Sequence, residues 1–186
     1  MYVGHVAVAL AAKGTRPAIP LWFLVITAQA PDWLVIATRL SGHEFARVER
    51  FTETSISFVL VAIPLALAYY AGSRDVKSAA MVWLVAASHA MCDFFTSTQT
   101  LLPGGIAQGL GWYKKPLHDF AIEATLVVLA AFIYRRSLSD RARRSAAFVW
   151  MFSSLVLFQA AVDVYLASSR RNGWLSEEIN SGRLFH

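Results

Sequence analysis

His89 and Asp93 stand four residues apart inside the apolar run Ser78 to Phe95. One turn of helix puts both on one face, about 6 Å apart along the axis. An imidazole and a carboxylate in an apolar run cost free energy unless a partner satisfies them. One central Asp alone costs roughly 2.5–3.5 kcal/mol on insertion scales. The pair is therefore a candidate site, and a His–Asp hydrogen bond that locks helix packing is the plainer alternative. The same pattern recurs along the chain. Gln29 and Asp32 share a face at i, i+3, Asp119 and Glu123 at i, i+4, and Gln159 and Asp163 at i, i+4. His5 lies in a short apolar stretch after Gly4. His43 sits in a polar loop and His186 at the terminus, and neither is assigned a role.

The elements that must carry these residues follow from composition. The chain has 186 residues, 56% apolar and 16% charged, with a mean hydropathy of +0.48. That is too apolar and too weakly charged for an ordinary soluble domain. The apolar residues are bunched into runs of membrane length, so the expected fold is an all-α, polytopic helical membrane protein. About five transmembrane helices are expected over 18–40, 55–71, 78–95, 117–134 and 146–167. Residues 2–12 are too short to cross a bilayer and should form an intramembrane or re-entrant helix. Residues 1–168 read as one membrane domain and 169–186 as a polar tail. Pro31 should break or kink the first span, and broken helices at membrane depth usually line a site. Thr52 suits an N-cap for the second span, and Pro116 suits the first turn of the fourth. The connection 96–116, rich in Thr, Gly and Pro, is long enough for a lid. The net charge of +5 does not argue for nucleic acid, because the basic residues are scattered over short loops where they set topology. Cys92 is the only cysteine, which excludes an intrachain disulfide.

Successive spans alternate in direction, so position within each run gives depth. Asp32, His89, Asp93 and Asp163 fall late in odd spans, and Asp119 and Glu123 fall early in an even one. All lie toward one membrane face, with Glu53 at the start of the second span and His5 on the same side. Five such acids cost on the order of 10–15 kcal/mol if all are ionised at the bilayer centre. Zinc bound in small peptides contributes about 10–16 kcal/mol, enough to hold such a cluster. Imidazole and carboxylate donors suit Zn²⁺, with Mn²⁺ or Fe²⁺ as alternatives. A site of this kind with an open position activates water for hydrolysis.

The motifs Val3-Gly4-His5 with Ala11-Ala12-Lys13, Ala28-Gln29-Ala30-Pro31-Asp32-Trp33, Ser88-His89-x-x-x-Asp93 and a later Glu123 resemble those of a bacterial family. It is the YdjM-like family of membrane-bound metal-dependent hydrolases. The resemblance covers the chain to about residue 135. It implies a bacterial inner-membrane protein and a metal-dependent hydrolase, and distant similarity to zinc-dependent phospholipase C implies phosphoester chemistry. One departure stands out: the family usually carries a histidine at the start of the helix after the polar loop, and 51–55 here read Phe-Thr-Glu-Thr-Ser. The expected metal ligands are His5, Asp32, His89 and Asp93, with His118 or Glu53 completing the shell. Glu123 is the candidate general base or supporting carboxylate, and Glu53 a second catalytic candidate. The expected substrate is a lipid or other membrane-accessible ester, with the bilayer as partner and a homo-oligomer as one arrangement.

Two rival readings use the same residues. In one, the cluster is an ion or proton path of a transporter or channel component. In the other, the protein is a non-enzymatic scaffold whose buried polar groups specify packing. The basic residues divide almost evenly between the two sides. Those opposite the cluster sit in shorter loops, which places the cluster on the extracytoplasmic side.

Overall fold

A computed structural model describes residues 3–40, 54–102 and 104–171. Eight α-helices are named here in chain order. They are α1 (Val3–Thr15), α2 (Leu21–Ala28), α3 (Ala30–Leu40), α4 (Ser55–Ser73), α5 (Val76–Thr96), α6 (Pro116–Arg135), α7 (Asp140–Arg143) and α8 (Ala146–Arg171). Between α5 and α6 lie a short antiparallel pair, β1 (Gln99–Thr100) with β2 (Ala107–Gln108), and a 3₁₀ turn at Trp112–Lys114. The four helices α4, α5, α6 and α8 are long and apolar enough to cross a membrane. The chain thus has the all-α build of a polytopic membrane protein.

The distribution of side chains fits that build. Large apolar residues such as Leu67, Leu129, Phe132, Trp150 and Leu157 face outward, while His5, His89, Asp119, Glu123 and Gln159 are buried. Small residues pack the interior: Ala9, Ala12, Ala62, Ala86 and Ala130 are all buried. Between apolar lipid and apolar side chains there is little hydrophobic drive, so close helix packing rests on small residues and polar contacts.

At 13 residues, α1 is about 20 Å long, well short of the roughly 30 Å hydrocarbon core. It does not need to span, because it is surrounded. Its Ala9 and Ala12 join Leu24, Ala28, Val82 and Val85 in one apolar cluster, against α2 and α5. Its Val3, Ala7 and Leu10 join Val127, Ala130 and Phe152 in another, against α6 and α8. Gly14 allows the closest approach. A Cβ there would collide with the backbone carbonyl of Ile133 near the end of α6.

The segment 18–40, expected as one span, is two short helices of 8 and 11 residues. The break falls at Gln29, the C-cap of α2. Pro31 then occupies the first turn of α3, where its missing N–H leaves no intrahelical bond unmade. Polar caps set the next boundaries. Thr54, not Thr52, accepts from the Ser57 amide at the start of α4; Thr52 lies outside the described residues. Arg74 turns left-handed, at φ 56°, to close α4. Asp75 accepts from the Lys77 and Ser78 amides to open α5. The Ser78 hydroxyl also donates to Asp75, at 2.6 Å. These bonds, the hydroxyl first, hold the Asp75 carboxyl below its usual range. As expected, Pro116 opens α6.

A buried His/Asp cluster as candidate metal centre

Three helices bring the cluster together. α1 supplies His5, α5 supplies His89 and Asp93, and the first turn of α3 supplies Asp32. The His5 and His89 rings stack in parallel, with centroids 3.9 Å apart and planes 6° off. His5 Nε2 is 3.3 Å from Asp93 Oδ1. His89 Nε2 is 3.2 Å from Asp93 Oδ2 and 3.4 Å from Asp32 Oδ1. His5 and His89 are 1% and 0% exposed, whereas the Asp32 side chain is 50% exposed. The cluster is thus closed on the α1 and α5 side and open at Asp32.

The surroundings fix its orientation. Ala28 ends α2, so its carbonyl is one that a helix C-terminus leaves without an intrahelical donor. His89 Nδ1 lies 3.0 Å from that oxygen. A carbonyl only accepts, so Nδ1 carries the proton. In the neutral form of the ring this leaves the Nε2 lone pair facing the carboxylates. Phe58 of α4 meets the His89 ring edge-on, with centroids 4.8 Å apart. Glu123 acts on α1. Its Oε2 accepts from the Val3 and Gly4 amides at 2.7 and 2.8 Å. An anion at a helix N-terminus meets free amides and the positive end of the dipole. Glu123 thereby anchors the turn that carries His5. From the connection after α5, Gln99 donates through Nε2 to Asp93 Oδ2 at 3.2 Å.

The composition of the donor set suits a cation, and the parallel His5 and His89 rings would have to turn apart for both Nε2 atoms to meet one ion in their ring planes. His89 Nε2 and oxygens of two carboxylates converge, and their like charges repel unless positive charge, a proton on the ring or a metal ion, stands among them. Neither His5 Nε2 nor His89 Nε2 has a hydrogen-bond partner among the described residues. Ligand atoms about 2.0–2.1 Å from a tetrahedral ion stand roughly 3.3–3.4 Å from one another. The three contacts above, at 3.2–3.4 Å, are near that length, although His5 and His89 meet different oxygens of Asp93. They exceed the roughly 2.7–2.9 Å of a charge-assisted hydrogen bond. His5, His89 and Asp93 each offer one ligand atom within 4.8 Å of the others, so this group could hold a metal ion.

Other sequence candidates lie apart. His118 is exposed, with its ring 5.8 Å from that of Trp112. Glu53 and His43 lie outside the described residues. Asp119, Gln159 and Asp163 form a network of their own between α6 and α8. The Ala28 carbonyl, Phe58 and Gln99 were not singled out by the sequence. A backbone carbonyl has no sequence signature, Phe58 is one apolar residue among many, and Gln99 sits in a connection without periodicity.

The fold and cluster define a class: an all-helical membrane protein with a buried His/Asp group of metal-ligating composition. No protein-family model, curated protein or solved structure matches the chain.

Proposed function

We propose that this protein is a membrane-embedded, metal-dependent hydrolase of a lipid or other membrane-accessible phosphoester. The observation that carries the reading is the Ala28–His89 contact, which points Nε2 of a buried imidazole at two carboxylates. Zn²⁺ is the metal best suited to two imidazoles and a carboxylate, with Mn²⁺ or Fe²⁺ as alternatives. His5, His89 and Asp93 would hold it. A zinc ion so bound would supply Lewis-acid chemistry, acidifying a water and polarising a phosphoryl oxygen.

The chain's own groups supply the rest. Asp32 stands at the exposed edge, where it would accept the proton of an attacking water. Gln99 and the Ala28 carbonyl orient Asp93 and His89, as outer partners of metal ligands do. Glu123 is occupied with the α1 amides, which suits a supporting carboxylate better than a general base. The exposed apolar residues of the adjoining connection, Leu101, Leu102, Ile106 and Leu110, suit contact with lipid beside the opening. The resemblance described above suggests a bacterial inner-membrane enzyme, and the shorter basic loops opposite the cluster favour a site on the extracytoplasmic side.

The test is release of inorganic phosphate from lipid phosphates, and of headgroup or phosphorylated headgroup from phospholipids, in mixed micelles by the zinc-, manganese- and iron-loaded protein. Turnover by the wild type that falls at least 100-fold in Asp32→Asn, with metal retained, supports the assignment. Failure to cleave any of these substrates while metal is bound would sink the hydrolase reading.

One observation favours a second reading. The α2–α3 break beside Asp32 and Asp93 also suits an ion or proton path. Proton-coupled uptake into liposomes that Asp93→Asn abolishes would favour it.

A further inference from the structure

Toward the end of α6 remote from Glu123, α6 and α8 leave an open groove between them. Its volume is about 620 Å³, within the roughly 300–1,000 Å³ of small-ligand sites. Val128, Ala131 and Phe132 line it from α6, and Phe148, Phe152 and Val156 from α8. The Phe148 and Phe152 rings pack with centroids 4.9 Å apart. Apart from Ser153, the one polar residue in the lining is Arg135, the last residue of α6. That guanidinium is unmatched. Segment 135–144 holds five arginines and a single acid, Asp140. The acid pairs with Arg143 at 3.5 Å, and Arg143 also donates to the Leu138 and Arg136 carbonyls. The Arg135 side chain has no ion pair or hydrogen bond among the described residues.

Both helices are long and apolar enough to cross a membrane, so a groove between their outer faces meets acyl chains. Apolar walls do not choose among lipids, because the bilayer is as apolar as the walls. Charge does. An arginine at a helix end reaches the headgroup level and pairs with a phosphate through two parallel N–H bonds. A zwitterionic headgroup brings its own cation to that contact, and an anionic one does not. Basic clusters beside membrane helices attract anionic lipids for the same reason. Here the cluster has a cleft for the chain directly beneath it.

We propose that the α6–α8 groove binds one anionic phospholipid, with an acyl chain between the helices and the phosphate held by Arg135. From Val127 to Arg135 the groove runs about 12 Å along α6, which accommodates the part of a chain nearest the headgroup. Its mouth lies about 18 Å along α6 from Glu123, away from the His/Asp cluster, and the site does not depend on hydrolase activity.

The experiment is native mass spectrometry of the full-length protein, delipidated in detergent and titrated with dioleoyl-phosphatidylglycerol or dioleoyl-phosphatidylcholine. EDTA is present, so that no ion at the His/Asp cluster attracts phosphate. The expected result is one phosphatidylglycerol per chain, bound about tenfold or more tightly than phosphatidylcholine. Arg135→Gln should reduce that preference about fivefold or more, whereas Arg141→Gln, outside the groove lining, should change it less than about twofold. Val128→Trp fills the groove from a half-exposed position and should weaken phosphatidylglycerol binding about fivefold or more. Glycerol 3-phosphate, which carries the phosphate without chains, should not displace the lipid. Equal affinity for the two lipids overturns the proposal. So does a preference that survives Arg135→Gln, or one that Arg141→Gln lowers as much, which would mark diffuse attraction to the basic segment. Binding unchanged in Val128→Trp, or displacement by glycerol 3-phosphate, also overturns it. A lipid-free dimer that Val128→Trp splits would identify a second copy of the chain as the occupant and overturn it as well.

Discussion

The two buried polar groups of this molecule are built from similar materials and differ in how they are completed. Around His89, nitrogen and oxygen donors converge from three helices, and three of the four are steered by a neighbour: Ala28 for His89, Gln99 for Asp93 and Glu123 for the turn bearing His5. Around Gln159 there are only oxygens and one amide nitrogen, supplied by two helices. One side of the first group is open, at the half-exposed Asp32. The second is buried throughout. Openness and steering are what a reacting centre needs, and closure suits a structural tie. A shared depth in the membrane therefore does not make one site. Chemistry divides the polar residues into two groups that depth alone had placed together.

The contrast can be broken most forcefully at Glu123, which stands near both groups. Glu123→Leu removes a buried carboxylate and leaves the Val3 and Gly4 amides without their acceptor. The expected loss is about 3–5 kcal/mol of stability, from two charge-assisted bonds and the orphaned donors. Denaturant unfolding would measure it, and metal affinity at His5 should fall with it. A smaller effect is expected where α1 passes α6. Gly14→Val forces a side chain against the Ile133 carbonyl and should cost about 1–3 kcal/mol, read as a lower Tm. Metal stoichiometry should be unchanged in that variant if the helix relaxes as a unit.

Gln99→Leu sharpens the comparison from the outer side. It removes a neighbour of Asp93 and touches nothing in the second group. Metal affinity should fall about tenfold, as for other outer partners, while the Gln159 group stays as in the wild type. Competitive chelator titration would show it. The smallest effect belongs to Asp75, far from both groups. Its carboxyl is held below the usual value near 3.8, so the folded state favours the ionised form. Its contribution is full above that value and is lost as pH falls through the lower folded value. Asp75→Ala should therefore flatten the acid limb of the stability profile slightly and leave both groups intact.

The sequence carried much of this in residue type and spacing. The i, i+4 pairs identify His89–Asp93 and Gln159–Asp163, and both pairs meet as helical geometry requires. Alternating spans place His5 and Asp32 at the depth of His89. Pro31 signals the interruption of the first apolar run, although two short helices replace the expected span. Rotation about each helix axis could not be read, because amphipathic patterning is weak where lipid and interior are both apolar. That is why Asp119 and Asp163, at the right depth, turn toward each other and not toward His89. It is also why His118, two residues into α6 from Pro116, faces outward. Glu123 shows the same limit: its depth was legible, but its two amide partners lie 120 and 119 residues away.

The central claim is that lone pairs converging at His89 hold a metal ion. Purified protein in chelator-free detergent, reconstituted with Zn²⁺ and freed of excess ion, should contain close to one zinc per chain. The His89→Ala/Asp93→Ala variant should contain none, and Asp163→Asn should keep the wild-type content. Wild-type protein that stays metal-free after reconstitution with Zn²⁺, Mn²⁺ or Fe²⁺, or a double variant that binds as much as the wild type, would contradict it.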